Sequence, residues 1–307
     1  MFASSLTTRV RSERLQETLA TICSHASPDL PSSFHPDKLD EKTLGIYLVS
    51  SFLRLQTFAA LMENAGYRSK IQKVPYKNSS GTNAHFFRGK CNNPLFVTAH
   101  HDYCGGVGAT DNGSGLAVIA EAATVLAEAK SDLDVVIGSF DLEEAGLVGS
   151  RANAASIGDL VRKKIRGVVN IDSVGFGQDL VFLKYPDVKI EPERTALIRE
   201  VIQEQARDLG VPIAEFTYGE GRSDHIPFLQ HGVPAVTLMA INGELYNLYK
   251  TAVNGPAQHV SKKPKWSDVS VINSERDTLD KVSVRNLEMA TKCLLASIEK
   301  LAVRRSG

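Results

Sequence analysis

Short apolar runs that alternate with stretches of helical periodicity constrain this chain more than any other feature. The runs are "PLFVTA", "LDVVIGSF", "RGVVNID", "DLVFLKY" and "PAVTLMA", and helices are predicted over residues 113–129, 192–209 and 285–303. Apolar runs of about four to eight residues read as buried strands, and the helical stretches between them as crossovers. Two further helices come first, over 10–24 and 41–66, the second with Leu44, Leu48, Phe52, Leu55, Phe58 and Leu61 at three-to-four spacing. The segment "SPDLPSSFHPD" separates them as a loop, because proline interrupts both periodicities. Strands joined through helices require a largely parallel sheet covered on both faces. The expected fold is therefore α/β, a three-layer αβα sandwich around a mostly parallel mixed sheet. One core of this kind suits a chain of 307 residues, so residues 1–307 read as a single domain with an N-terminal helical extension and loop over 1–40.

Charge narrows the partners. Lysine plus arginine number 35, aspartate plus glutamate also 35, and no long basic block offers a surface to nucleic acid or to an anionic membrane. The N-terminal residues lack an apolar signal core, and no later stretch reaches the roughly 18 uninterrupted apolar residues of a membrane helix. A soluble, cytoplasmic protein acting on small or neutral substrates is expected. Cys23, Cys91, Cys104 and Cys293 show neither zinc-knuckle spacing nor disulfide density, and read as reduced, mostly structural thiols.

In open sheets of parallel strands, sites form beyond the carboxyl ends of the strands, and the polar clusters fall there. The strand "LFVTAH" ends in His100. Side chains alternate across a strand, so His100 and Asp102 share a face and His101 points away. A metal-bound imidazole usually donates its second N–H to a carboxylate, which makes His100 a candidate ligand, Asp102 its orienter and His101 a bystander. Taken alone, His-x-Asp reads more readily as a solvated loop histidine. "GATDNGSG" surrounds Asp111 with glycine, either to present a carboxylate inward or to cap the following helix. "DLEEAGLVGS" places Glu143 and Glu144 together at a strand end, where one carboxylate can coordinate a metal and the other take a proton from water. "GVVNID" delivers Asn170 and Asp172 on one face.

The order "AHHD", "GATDNGSG", "FDLEEAGLVGS", "NID" and "GRSDHIPFLQHGVPAV" resembles the zinc aminopeptidases of the M28 metallopeptidase family over roughly residues 45 to 305. Motifs of this length and order are more specific than any short pattern. The resemblance implies that His100, Asp111 and Asp172 hold one zinc, that Asp111 bridges to a second site with Glu144, and that Glu143 is the general base. It also implies a cis peptide after Asp111.

One position departs from the pattern. The family completes its second site with a histidine in His-Thr/Ser-x-x-Asp-Thr, whereas this chain reads "VINSERDTLDKV" and places Asn273 there. An amide oxygen is a weak, neutral zinc ligand compared with imidazole, so one zinc should bind firmly while the second position is weak or vacant. His225, His231 and His259 are possible substitutes, each with a structural role as the alternative. Arg222 in "GRSDH" is a candidate grip for a substrate carboxylate, or else one half of a structural ion pair. Tyr218, Tyr246 and Tyr249 are candidate donors to an oxyanion. The expected activity is zinc-dependent hydrolysis of peptide or amide bonds in short peptides or N-acyl amino acids. A weakened or inactive binding relative and an acyl-transfer or cyclase variant are the alternatives.

Overall fold

The computed structural model describes residues 6–31, 34–89, 91–184, 193–211, 213–217, 222–243 and 271–303. Within them, β1 (Arg68–Tyr76), β2 (Ser79–Phe87), β3 (Leu95–His100), β4 (Val135–Phe140), β5 (Gly167–Ile171), β6 (Asp179–Lys184), β7 (Ala214–Thr217) and β8 (Ala235–Ile241) form one sheet. Its order is β1-β2-β4-β3-β5-β8-β6-β7. The four central strands, β4-β3-β5-β8, run parallel. Antiparallel pairing of β2 with β4 and of β6 with β8 adds the flanks. Because the central strands run one way, the residues after β3, β4 and β5 emerge at one edge. His100 is the last residue of β3 and lies opposite Phe140, the last of β4.

Strand alternation builds two cores. Val97, Ile137 and Val169 face a layer made by α1 (Ser12–Cys23), α2 (Glu41–Asn64), α3 (Gly115–Glu128), α6 (Glu193–Asp208) and α8 (Val284–Val303). Their strand neighbours Phe96, Val136 and Val168 face the other way, against Ala154 of α4 (Val148–Ser156) and Phe228 of α7 (His225–Gln230). Each fully buried side chain of this size contributes about 1.5 to 3 kcal/mol by leaving water. The short helix α5 (Asp159–Arg162) has no buried residue. Helix α1 belongs to the first layer: Arg14 pairs with the buried Glu121 of α3 and, at 2.7 Å, with Glu128.

Helix α2 is long and apolar enough, by length and composition, to cross a membrane. In the fold it is a core helix that buries Leu44, Tyr47, Leu48, Leu55, Phe58 and Met62. Asp40 starts it by accepting the Thr43 N–H at 2.8 Å, which satisfies one of the otherwise orphaned first-turn donors. Tyr47, Ser51 and Arg54, at i, i+4 and i+7, form a buried polar stripe along this apolar helix.

The antiparallel hairpin β1–β2 has no counterpart among the strands expected from apolar runs. Arg68, Ser69 and Lys70 are exposed at the sheet edge, where charged side chains discourage further strand pairing. That edge role removes the apolar alternation by which a strand is recognised.

Candidate metal centre

His100 Nε2 lies 3.0 Å from Asp111 Oδ1 and 3.6 Å from Asp172 Oδ1 without an aligned hydrogen bond. All three side chains are buried, and their ligand atoms lie within 4.8 Å of one another. On the opposite side of the ring, Nδ1 is 3.1 Å from the Asp102 carbonyl oxygen and 3.4 Å from its Oδ1. Donation from Nδ1 leaves the Nε2 lone pair facing the two acids, which is the tautomer a metal ligand needs.

The charge balance points the same way. Burial opposes an imidazolium at His100, but Glu143, Asp102, Asp111 and Asp172 outweigh it and hold the ring's pKa well above its usual value. Burial raises the Asp111 carboxyl, with His100 acting against it and Asp172 adding repulsion. Several buried acids around one imidazole are short of positive charge, and uncompensated buried carboxylates are costly. One imidazole and two carboxylates fit zinc as a donor set.

Each of the three side chains is held by its own neighbours. Asp277 accepts the Thr110 N–H at 2.6 Å on Oδ1 and the Asp111 N–H at 2.9 Å on Oδ2. Arg54 of α2 donates to the carbonyls of Val107 and Gly108 and lies over the Tyr103 ring at 4.2 Å. Gly108 has φ 55°, and a Cβ there would meet the Tyr103 Cβ at 2.5 Å, so glycine is required at this turn. The peptide between Asp111 and Asn112 is cis, as the resemblance implies. Asp172 accepts Ser223 Oγ at 2.5 Å and Ser173 Oγ at 3.0 Å. Burial favours its neutral form, but attraction from His100 and the bonds from Ser223 and Ser173 win, and its pKa is lowered. Behind it, Asn170 joins Thr98 at 2.8 Å and Ser223 at 2.7 Å, so the strand centres carry a satisfied polar ladder.

The Asp102 carboxylate binds the turn after β4. Its Oδ1 accepts the Glu143 N–H at 3.1 Å, and its Oδ2 accepts the Glu144 N–H at 3.0 Å. The chain enters this turn through Leu142, whose φ of 60° is unusual for a bulky side chain. Both glutamates are partly exposed. Burial, with repulsion from Glu144, Asp224 and Asp172 against attraction from His100, raises the Glu143 carboxyl well above its usual range. Burial and Asp111 do the same to Glu144.

A model of Peptidase family M28 matches residues 84–298, more than half of the chain. The chain belongs to peptidase family M28. The leupeptin-inactivating enzyme 1 of Streptomyces exfoliatus is 31% identical over 180 residues, 56% of this chain and 39% of that protein. This M28 member thus spans less than half the length of the curated relatives it matches first. BSAP, a zinc aminopeptidase from Bacillus subtilis, superposes with a TM-score of 0.68 at 14% identity, covering 95% of each chain. A glutaminyl cyclase from Porphyromonas gingivalis superposes equally well, with a TM-score of 0.69 at 16% identity over 97% of this chain and 99% of that one. At such identities the likeness is one of fold alone.

Of the remaining residues singled out in the sequence of this M28 member, Asn273 meets Glu144, whereas the described histidines bond to other residues. His101 points away from the centre, with Nδ1 2.9 Å from Ser139 Oγ and Nε2 3.7 Å from Asp141 Oδ2. His225 bonds through Nδ1 to Thr237 at 2.7 Å, and His231 to the Pro227 carbonyl at 2.8 Å. Arg222 is exposed. Tyr218, Tyr246, Tyr249 and His259 lie outside the described residues. The Asn273 amide, turned so that its nitrogen faces Glu144, donates to Oε1 at 2.8 Å and Oε2 at 3.1 Å.

Sequence reasoning passed over Tyr47, Arg54, Asp224 and the role of Asp277. Tyr47 and Arg54 carried a signal, as polar residues at helical spacing within an apolar helix. Asp224 is fully buried, neither of its oxygens has a hydrogen-bond partner, and burial raises its pKa to about 7.

Proposed function

We propose that this M28 member is a zinc-dependent hydrolase of peptide or amide bonds, aminopeptidase-like, acting on short peptides or N-acyl amino acids. The observation that carries the reading is the Nε2 of buried His100, without a hydrogen bond, against Asp111 and Asp172, with the Glu143 backbone N–H held by Asp102. Held by His100, Asp111 and Asp172, zinc would supply a Lewis acid that polarises the scissile carbonyl and acidifies a water.

The chain's own residues then divide the proton work. Glu143 accepts the proton of the attacking water on its carboxylate and delivers it to the departing amine nitrogen. A carboxyl whose pKa lies above the usual range holds that proton between the two steps better than an ordinary glutamate. Asp102 keeps Glu143 in position through the backbone N–H and fixes the His100 tautomer from the other side. The polar ladder behind Asp172 prevents that carboxylate from rotating away.

The test is a panel of amino-acid amides, dipeptides and N-acyl amino acids with the zinc-loaded chain, scored by amine release before and after chelation. Release that chelation abolishes and zinc restores is expected. Zinc-loaded protein that cleaves no member of the panel would contradict the proposal.

A further inference from the structure

Cys104 lies two residues beyond Asp102, and its Sγ is 2.7 Å from one atom of the Asn273 side-chain amide. That same amide atom faces Glu144, to which it donates as nitrogen. A thiol, an amide and a carboxylate therefore converge where the family resemblance places an imidazole.

The fold makes this convergence obligatory. A Cβ on Gly105 would meet Ser274 N at 2.3 Å and the Asn273 carbonyl carbon at 2.6 Å, and one on Gly106 would meet the Asp277 carbonyl oxygen at 2.5 Å. Backbone thus lies directly on backbone, and only glycine permits the approach. The Phe34 N–H donates to the Cys104 carbonyl at 3.1 Å, and the Glu144 backbone N–H donates to Asp102. Asn273 itself has φ 54°, an uncommon conformation that asparagine tolerates better than most residues. The other cysteines differ in setting: Cys23 and Cys293 lie in the apolar core, and Cys91 is exposed.

An amide oxygen alone is a poor zinc ligand, whereas a thiolate is among the strongest. We propose that Cys104 supplies, as a thiolate, the ligand that position 273 lacks, so that Cys104, Glu144 and the Asn273 oxygen form a second divalent-cation site. The inference rests on the zinc reading of His100, Asp111 and Asp172. When the cation enters, the thiol proton passes to solvent. The Asn273 amide turns its oxygen inward, and Glu144 exchanges an amide donor for the cation. The second position is then a thiolate site in place of a weak or vacant one.

Cobalt(II) titration of the metal-free full chain separates the sites, because a thiolate on cobalt adds a near-ultraviolet charge-transfer band that nitrogen and oxygen ligands lack. The parent should take two equivalents and show the band. Cys104→Ser and Cys104→Ala, checked as folded by far-ultraviolet circular dichroism, should take one equivalent and lose the band, while Cys91→Ser keeps both. One equivalent without the band in the parent, or a band that survives both Cys104 substitutions, overturns the inference and leaves the first site standing. A chain that binds no cobalt overturns the zinc reading along with it.

Discussion

The Tyr47 hydroxyl donates to Asp102 Oδ2 at 2.6 Å from within an otherwise apolar helix. Burial and the neighbouring acids raise the phenol's pKa well above its usual value, so it remains a donor. Asp102 also receives the backbone N–H groups of Glu143 and Glu144 and lies beside His100. One carboxylate thereby ties α2, the end of β3 and the turn after β4 together.

Tyr47→Phe removes that hydroxyl with little change of shape. Loss of a hydrogen bond to a charged group costs about 1.5 to 3 kcal/mol of stability, and loss of support behind a metal site typically costs about 10- to 100-fold in metal affinity or activity. Urea unfolding and zinc competition titrations read the two effects. An unchanged zinc affinity would mean that Asp102 needs no support from α2.

The two adjacent histidines should behave differently. His100→Ala should lose the zinc of the His100–Asp111–Asp172 group, because it deletes that group's nitrogen ligand. His101→Ala should lower stability by about 1 to 3 kcal/mol, since it unpairs a buried polar side chain facing Ser139, yet leave zinc in place. Metal analysis after identical dialysis decides, and equal loss in both variants contradicts the assignment.

His85 gives the fold an acid dependence separate from the His100–Asp111–Asp172 group. Burial pushes its imidazole from 6.5 down to about 4, against the bond from Asn153, whose Nδ2 lies 2.8 Å from His85 Nε2. The folded chain therefore resists a proton that the unfolded chain accepts. Stability present above pH 6.5 is lost progressively as the pH falls towards about 4. Thermal unfolding across that window should show a shallower decline for His85→Gln than for the parent. An identical decline would assign the acid sensitivity to other groups.

The apolar runs made β3, β4, β5, β6 and β8 legible, because a strand buried on both faces has no polar alternation to disguise it. The β1–β2 hairpin was not legible, since Arg68, Ser69 and Lys70 at its exposed edge give no such pattern. His100 and Asp172 could be named because they end or follow a central strand, and Asp111 through the family resemblance of "GATDNGSG". What lay beyond reach was the pairing of distant loops. Asp277 clamps Thr110 and Asp111 from 167 and 166 residues away, and Cys104 meets Asn273 across 169 residues. No local periodicity encodes either contact; tertiary packing on Gly105 and Gly106 produces them.

Replacement of Glu143 by glutamine is the most direct test of the central claim, because it preserves shape and removes only the capacity to carry a proton. Zinc content and amide hydrolysis should be measured on Glu143→Gln and parent side by side. The account predicts unchanged zinc with hydrolysis lower by about two to four orders of magnitude. Hydrolysis within a few-fold of the parent at equal zinc content would contradict it.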